Sequence, residues 1–280
     1  MSEMAMNEGP MQLSGYDPKR TAMIRRTCLE VATRLQDFQD VVCVVGGLVP
    51  SLLVDSAKLV AAESHIGTYD LDLGLSLAIL QEERYEEIAQ RLRDAGFSID
   101  HNEAGNPTAQ RWRSREGALI DFLIAPAAST DTPGRLRNLE PDFAAFITPG
   151  LHLAFQDREV VELAGETLSG GTAARTISVC GPGAFVVLKA LAFGNRGKEK
   201  DAYDLWYVIR NRRDTLSRLR IVAGDPDARR AIKVLADDFS EAARIGPERV
   251  ARFLLGRADV NLQADVAGLV RELVAGVGEF

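Results

Sequence analysis

The sequence has few of the residues that build thiolate metal sites, disulfide frameworks or polycationic surfaces. Its three cysteines, Cys28, Cys43 and Cys180, are too far apart for the paired spacings of a zinc site or a disulfide framework. We therefore expect buried, reduced thiols, as in cytoplasmic proteins. The formal net charge of −7 argues against a general nucleic-acid coat, although a local basic surface can exist on an acidic protein.

Long hydrophobic runs are also lacking. The longest apolar window, residues 41–54, is shorter than the roughly 20 residues that cross a bilayer, and two glycines and a proline interrupt it. The N-terminal stretch MSEMAMNEGPMQLSG has acids and polar residues where a signal peptide would have an apolar run. We expect no membrane segment, a cytoplasmic location, and a flexible tail over residues 1–17.

The periodicity of the apolar residues divides the chain into a part with strands and a part with helices alone. The first part contains a predicted helix at 17–38, a strand at 41–45, a helix at 50–62, a strand at 70–77, a helix at 82–95, and strands at 97–100, 110–115, 118–124, 160–164 and 176–180. The second part contains predicted helices at 184–193, 200–211, 227–239, 247–255 and 261–275. These patterns indicate an α+β fold, in which a mixed sheet domain (residues 18–182) is followed by a helical bundle (residues 183–280).

Carboxylates concentrate on two of the predicted strands. Side chains two apart on a strand point to the same face, so Asp70 and Asp72 of DLDLGLSL repel each other unless a cation such as magnesium lies between them. Asp121 lies in the hydrophobic strand ALIDFLIAP, where a lone acid is costly to bury. If the two strands are neighbours, the three acids converge on a site for divalent metal. The alternative is that Asp70 and Asp72 lie at a strand end in water and that Asp121 pairs with an arginine.

Two further features indicate phosphate binding. A strand that ends in Gly46-Gly47 and leads into a helix lets the backbone approach a phosphate closely, although ordinary turns have the same pattern. Lys189 interrupts the apolar helix AFVVLKALAF, so it must either reach solvent or meet negative charge. Nine basic residues against four acids between Lys189 and Arg220 give this segment a net positive charge.

The remaining candidates have a structural interpretation as well as a functional one. The strand with Arg111, Trp112, Arg113 and Arg115 could stack on a base or grip RNA, or it could be a solvated outer strand with Trp112 in the core. The three histidines, at positions 65, 101 and 152, have no metal-ligand spacing, so we expect ordinary surface or satisfied positions.

The order GGLVPSLLV, GTYDLDLGL and IDFLI resembles the nucleotidyltransferase superfamily, whose signature is a GG or GS turn, a DxD strand and a third acid on a neighbouring strand. The segment KALAFGNRGKEKDAYDLWYVI is similar to the second motif of the AbiEii/AbiGii-type toxin nucleotidyltransferases. The resemblance covers roughly residues 41–210. The 22 residues between Gly47 and Asp70 exceed the gap usual in that superfamily.

The resemblance implies a role for each matching residue. It makes Asp70 and Asp72 metal ligands with Asp121 as the third acid, and it places the remaining residues around the triphosphate: Gly46, Gly47, Thr68, Lys189 and either Arg196 or Lys198. Asp201 and Asp204 would orient Lys189, contact the nucleotide, or brace the helix that carries them.

The resemblance also implies an activity. A Mg²⁺- or Mn²⁺-dependent enzyme would transfer a nucleotidyl group from a nucleoside triphosphate such as ATP to an acceptor. That acceptor would be RNA, particularly a tRNA 3′ end, and the protein would be a toxin with an antitoxin partner. Two alternatives stay open: an enzyme with a small acceptor such as an antibiotic hydroxyl, which suits the acidic charge, and a nucleotide-binding protein without catalysis.

Overall fold

The computed structural model describes residues 13–55, 64–76, 82–127 and 131–278. Its strands are β1 (Val42–Val45), β2 (Asp70–Leu75), β3 (Ser98–His101), β4 (Pro107–Arg113), β5 (Leu119–Ile124), β6 (Leu136–Glu140), β7 (Phe143–Ile147), β8 (Arg158–Glu166) and β9 (Thr172–Cys180). Its helices are α1 (Pro18–Arg34), α2 (Val49–Leu53), α3 (Glu82–Asp94), α4 (Leu153–Gln156), α5 (Pro182–Arg196), α6 (Glu199–Asn211), α7 (Thr215–Val222), α8 (Pro226–Phe239), α9 (Ile245–Leu255) and α10 (Val260–Val277). The predicted α+β class, a mixed sheet followed by a helical bundle, is confirmed.

The strands form one mixed sheet, and its main path has the order β3-β4-β5-β2-β1-β9-β8. Strand β7 pairs with β5 outside this path, and β6 pairs with β7. The central pair β2 and β5 is parallel, and β1 runs antiparallel to β2. Strands β1 and β9 are parallel, so the sheet continues into the long antiparallel hairpin of β8 and β9. The two strands that carry the candidate acids are therefore direct neighbours in the middle of the sheet.

Local sequence signals fix several element ends. Asp17 caps α1 by accepting a hydrogen bond from the amide of Lys19, and Pro18 occupies the first turn, where its missing N–H costs nothing. Gly96 follows α3 with a φ of +86°, a backbone conformation that favours glycine. The two strands on either side of Glu116-Gly117, β4 and β5, pair antiparallel and form a hairpin.

Some predicted boundaries were wrong. The helix predicted at 50–62 ends at Leu53, and of its later residues only 54 and 55 are described. Strands β6 and β7 and the short helices α4 and α7 were not predicted. The strand with Arg111 is not an outer strand, because it lies between β3 and β5. Residues 1–12 of the predicted tail and residue 77 of the predicted strand lie outside the described residues.

The hydrophobic core runs continuously from the sheet into the helices. On the sheet, the buried rings of Trp112, Phe122 and Phe143 meet edge to face. In the helices, Tyr203 of α6 stacks on Phe253 of α9 with ring centroids 4.8 Å apart. All three cysteines are buried and free, as predicted. Among the described residues, every helix is too short or too polar to cross a bilayer.

Candidate active site

The glycine turn after β1 lies directly against an acidic strand. Gly46 has a φ of +71°, and a Cβ atom added to it would lie 1.8 Å from Oδ2 of Asp72. A Cβ atom on Gly47 would lie 2.6 Å from Oγ1 of Thr68. Glycine is therefore needed at position 46 for both backbone conformation and space, and the turn, Thr68 and Asp72 are brought together.

The strand registers bring the three candidate acids together. Asp72 of β2 is paired with Val45 of β1 on one side and with Asp121 of β5 on the other. Asp70 lies two residues before Asp72, on the same face of β2. Asp70, Asp72 and Asp121 each offer one carboxylate oxygen, and these three atoms lie within 4.8 Å of one another. The predicted convergence of the three acids is present in the structure.

Burial and mutual repulsion make this acidic cluster costly without a cation. Burial, together with the charges of Asp70 and Asp121, raises the pKa of Asp72 well above its usual value. Burial also raises the pKa of Asp121, although a hydrogen bond from Arg111 opposes the shift. Carboxylate oxygens are the ligands that hard divalent cations prefer, so the cluster fits such an ion both in donor type and in charge.

An arginine also contacts the acidic cluster. Arg111 of β4 is paired in register with Asp121, and its Nε and Nη2 atoms lie 2.6 and 2.5 Å from the two oxygens of that carboxylate. Nη2 is also 3.5 Å from Oδ2 of Asp70. Trp112 points the other way, into the core. The sequence left two interpretations as alternatives, and the structure has features of both: the three acids converge, and Asp121 pairs with an arginine.

Lys189 of α5 is buried beside two acids of α6. Its Nζ atom lies 3.1 Å from Oδ1 of Asp201 and 2.9 Å from Oδ2 of Asp204. Burial alone would lower the pKa of Lys189, but the two carboxylates outweigh it and hold the pKa above its usual value. Arg196 donates to Asp201 at 2.6 Å through Nε. Asp201 and Asp204 therefore fix the positions of two cations on the neighbouring helix.

A buried histidine connects this charged group to the loop before β2. Nε2 of His65 lies 2.8 Å from Oδ1 of Asp204, which also accepts a hydrogen bond from Nζ of Lys200 at 2.5 Å. The ring of His65 stacks on Tyr203, whose hydroxyl accepts a hydrogen bond from the amide of Ile66. The contact of His65 with Asp204 was not predicted, because the two residues lie 139 positions apart in the chain.

The glycine turn, the acidic cluster and the charged residues of α5 and α6 line one cleft. Its volume is about 780 Å³, within the size range of small-molecule sites. The lining includes every residue to which the resemblance gave a role: Gly46, Gly47, Thr68, Asp70, Asp72, Asp121, Lys189, Arg196, Lys198, Asp201 and Asp204. Tyr16, Arg111 and Arg249 line it as well, and no sequence motif indicated Tyr16 or Arg249.

Many basic residues of the segment between Lys189 and Arg220 are paired with acids of the same chain. At least five of its nine basic residues form ion pairs with carboxylates, namely Lys189, Arg196, Lys200, Arg212 and Arg218. The guanidinium of exposed Arg210 stacks over the ring of Trp206, 5.0 Å from its centroid. Only part of the positive charge of this segment is therefore available on the surface.

Comparisons with known proteins give a structural similarity alone. No protein-family model matches the chain, and no curated protein matches it significantly in sequence. Among solved structures, the chain is similar to an antigenic nucleotidyltransferase-like protein from Paracoccidioides brasiliensis, with a TM-score of 0.40 and 16% sequence identity. The similarity covers 76% of this chain and 94% of that chain. A similarity this low carries no weight for function.

Proposed function

We propose that this protein is a metal-dependent nucleotidyltransferase that uses a nucleoside triphosphate. One observation carries the proposal: an acidic cluster, a glycine turn and buried cations line the same cleft. A divalent ion such as Mg²⁺ or Mn²⁺, held at Asp70 and Asp72 with Asp121 as the third acid, would supply positive charge to the reacting phosphates.

The triphosphate would bind between the turn and the helices. The backbone at Gly46 and Gly47 can approach phosphate oxygens closely, because neither residue has a side chain in the way. Lys189 and Arg196 line the same cleft and would neutralise phosphate charge, and Lys198 lines it as well. Asp201 and Asp204 would act by orienting Lys189, the role that their contacts favour over a direct contact with the nucleotide.

The chemistry would depend on positioning and charge neutralisation. An acceptor hydroxyl would attack the α-phosphorus, the bond from that phosphorus to the bridging oxygen of the β-phosphate would break, and pyrophosphate would leave. The hydroxyl proton would be lost to solvent. No covalent intermediate with a side chain is required.

The direct test is transfer of labelled nucleotide in the presence of Mg²⁺. We expect label on an acceptor with the unchanged protein and a loss of at least about 100-fold with Asp72→Asn, since that variant weakens the cation site. Asp265→Asn is the matched control, because Asp265 is an exposed acid on α10. Equal labelling by the Asp72→Asn variant would rule out the proposed site.

We propose RNA, in particular a tRNA 3′ end, as the first acceptor to test, in a toxin that has an antitoxin partner. The resemblance of the motifs supports this acceptor. A small hydroxyl-bearing acceptor is the second candidate, and the ion pairs that occupy the basic segment favour it. Replacing exposed Arg210 and Arg213 with glutamine should weaken transfer to RNA and leave transfer to a small acceptor unchanged.

A further inference from the structure

Arg111 lies on the strand next to Asp121 and adds a positive charge beside the acidic cluster. Three adjacent strands present Asp72, Asp121 and Arg111 at the same register level, because Asp121 is the partner of both other residues. Both carboxylate oxygens of Asp121 accept hydrogen bonds from the guanidinium of Arg111, and its Nη2 also contacts Asp70. A positive charge therefore already lies between two of the three carboxylates.

The position of Arg111 is fixed by its surroundings. The next residue, Trp112, is fully buried on the opposite face of β4, and β4 is held by strands on both sides. The Arg111 side chain is only 11% exposed, and a guanidinium stays protonated at any ordinary pH. Moving it off Asp121 would leave a largely buried cation without a partner and a buried acid without its hydrogen bonds.

The charges of the cluster call for one divalent ion. When all three acids are ionised, Asp70, Asp72, Asp121 and Arg111 together have a net charge of −2, which one divalent ion balances. The charges of Lys189 and Arg196 also act on Asp72 and reduce the need for a further cation. A second divalent ion bound at Asp121 would lie against the guanidinium and be repelled by it.

We propose that Arg111 takes the place of a second metal ion, so that the site holds a single divalent cation at Asp70 and Asp72. This inference rests on the proposed function, because it refines the metal site on which that function depends. Asp121 then serves as the anchor that positions Arg111, and the fixed guanidinium supplies the charge that a second ion would otherwise bring to the reacting oxygens.

Crystals of the whole protein with Mn²⁺ and an α,β-methylene nucleoside triphosphate test the proposal. Anomalous scattering at the manganese edge locates each ion in direct contact with the acids. We expect one ion, bound to Asp70 and Asp72, with Arg111 still on Asp121. Two ions, one of them on Asp121 with Arg111 turned away, would overturn this inference and leave the proposed function intact. No ion at Asp70 and Asp72 would overturn the proposed function as well.

Counting bound Mn²⁺ in solution by electron paramagnetic resonance, with the same nucleotide analogue, gives a second readout. We expect the count to rise from one ion to two in Arg111→Met, since that change exposes Asp121. The double variant Arg111→Met, Asp121→Asn should return the count to one. Arg113→Met is the matched control, because Arg113 lies on the same face of β4 and pairs with Asp100 instead. Two ions in the unchanged protein, or one in a folded Arg111→Met variant, would contradict the proposal.

Discussion

At the scale of single residues, His65 is a buried titrating group that contacts Asp204, one of the residues that line the cleft. Burial and the nearby charge of Lys200 lower the pKa of His65 to about 4, although the hydrogen bond that its ring donates to Asp204 opposes the shift. The ring also faces Lys189 and the rings of Tyr203 and Tyr207. The folded protein therefore holds His65 neutral at a pH where the unfolded chain has already begun to protonate it.

This difference predicts a dependence of stability on pH. The contribution of neutral His65 is fully present above pH 6.5, its unfolded pKa, and is lost as the pH falls toward the folded pKa of about 4. Across this interval of roughly 2.5 pH units, the free energy of unfolding falls by about 3 kcal/mol. The free energy of unfolding should fall by about that much more in the unchanged protein than in His65→Gln, which keeps a donor for Asp204 but does not titrate. Denaturant titrations from pH 7 to pH 4 measure it, and parallel curves for the two proteins would count against it.

The residues of the acidic cluster could be predicted from the sequence, whereas the partner of Asp121 could be predicted only as an arginine without a position. Alternation within DLDLGL places Asp70 and Asp72 on one face, and a lone acid in a hydrophobic strand drew attention to Asp121. The pairing with Arg111 follows from the strand register, which was not predicted. His65 occupies a hydrogen-bonded position, which was one of the two outcomes expected for it, but its partner Asp204 was not predicted because a local pattern carries no information about a contact across 139 residues.

At the scale of elements, the site depends on the contact between α5 and α6. Asp204 of α6 is fully buried and meets Lys189 and Lys200, and Asp201 meets Lys189 and Arg196. Burial opposes ionisation of Asp204, but Lys200 and Lys189 outweigh it and hold the pKa of Asp204 far below its usual value. Three cations therefore depend on two acids carried by one turn of a helix.

Removing one of these acids should destabilise the fold strongly. Asp204→Asn leaves Lys200 and Lys189 with too little negative charge in a buried place, and we expect a loss of about 3–5 kcal/mol. Asp37→Asn is the matched control, since Asp37 forms an exposed ion pair with Arg91 and should cost no more than about 1 kcal/mol. Thermal and denaturant unfolding measure both losses. Equal, small losses would mean that the buried cations need no counter-charge from Asp204.

The sequence predicted long, periodic elements better than short or polar ones. Helices α1, α3 and α6 and the strands with the acids were found because their apolar residues repeat at helical or strand spacing. Strand β6 was missed because the polar sequence of its exposed edge does not alternate clearly. The eight residues of α7 contain two arginines that interrupt the apolar pattern. Elements of this kind form because neighbouring elements hold them, which one segment of sequence does not reveal.

At the scale of the whole molecule, the cleft joins the sheet to the helices that follow it. The loop that precedes β2 is attached to α6 by the bond from His65 to Asp204 and by the amide of Ile66 to the hydroxyl of Tyr203. The glycine turn and the cations of α5 and α6 line the same cleft. The division of the chain into domains at residue 182 stays a prediction.

Nucleotide binding is the most direct test of the central claim that acids, glycine turn and buried cations form one metal-dependent phosphate site. Calorimetry with a non-hydrolysable nucleoside triphosphate and Mg²⁺ should show binding to the unchanged protein that is lost with EDTA and weakened at least tenfold in both Asp72→Asn and Lys189→Met. Asp265→Asn should bind as the unchanged protein does. Binding that is unaffected by EDTA and by either site variant would contradict the claim.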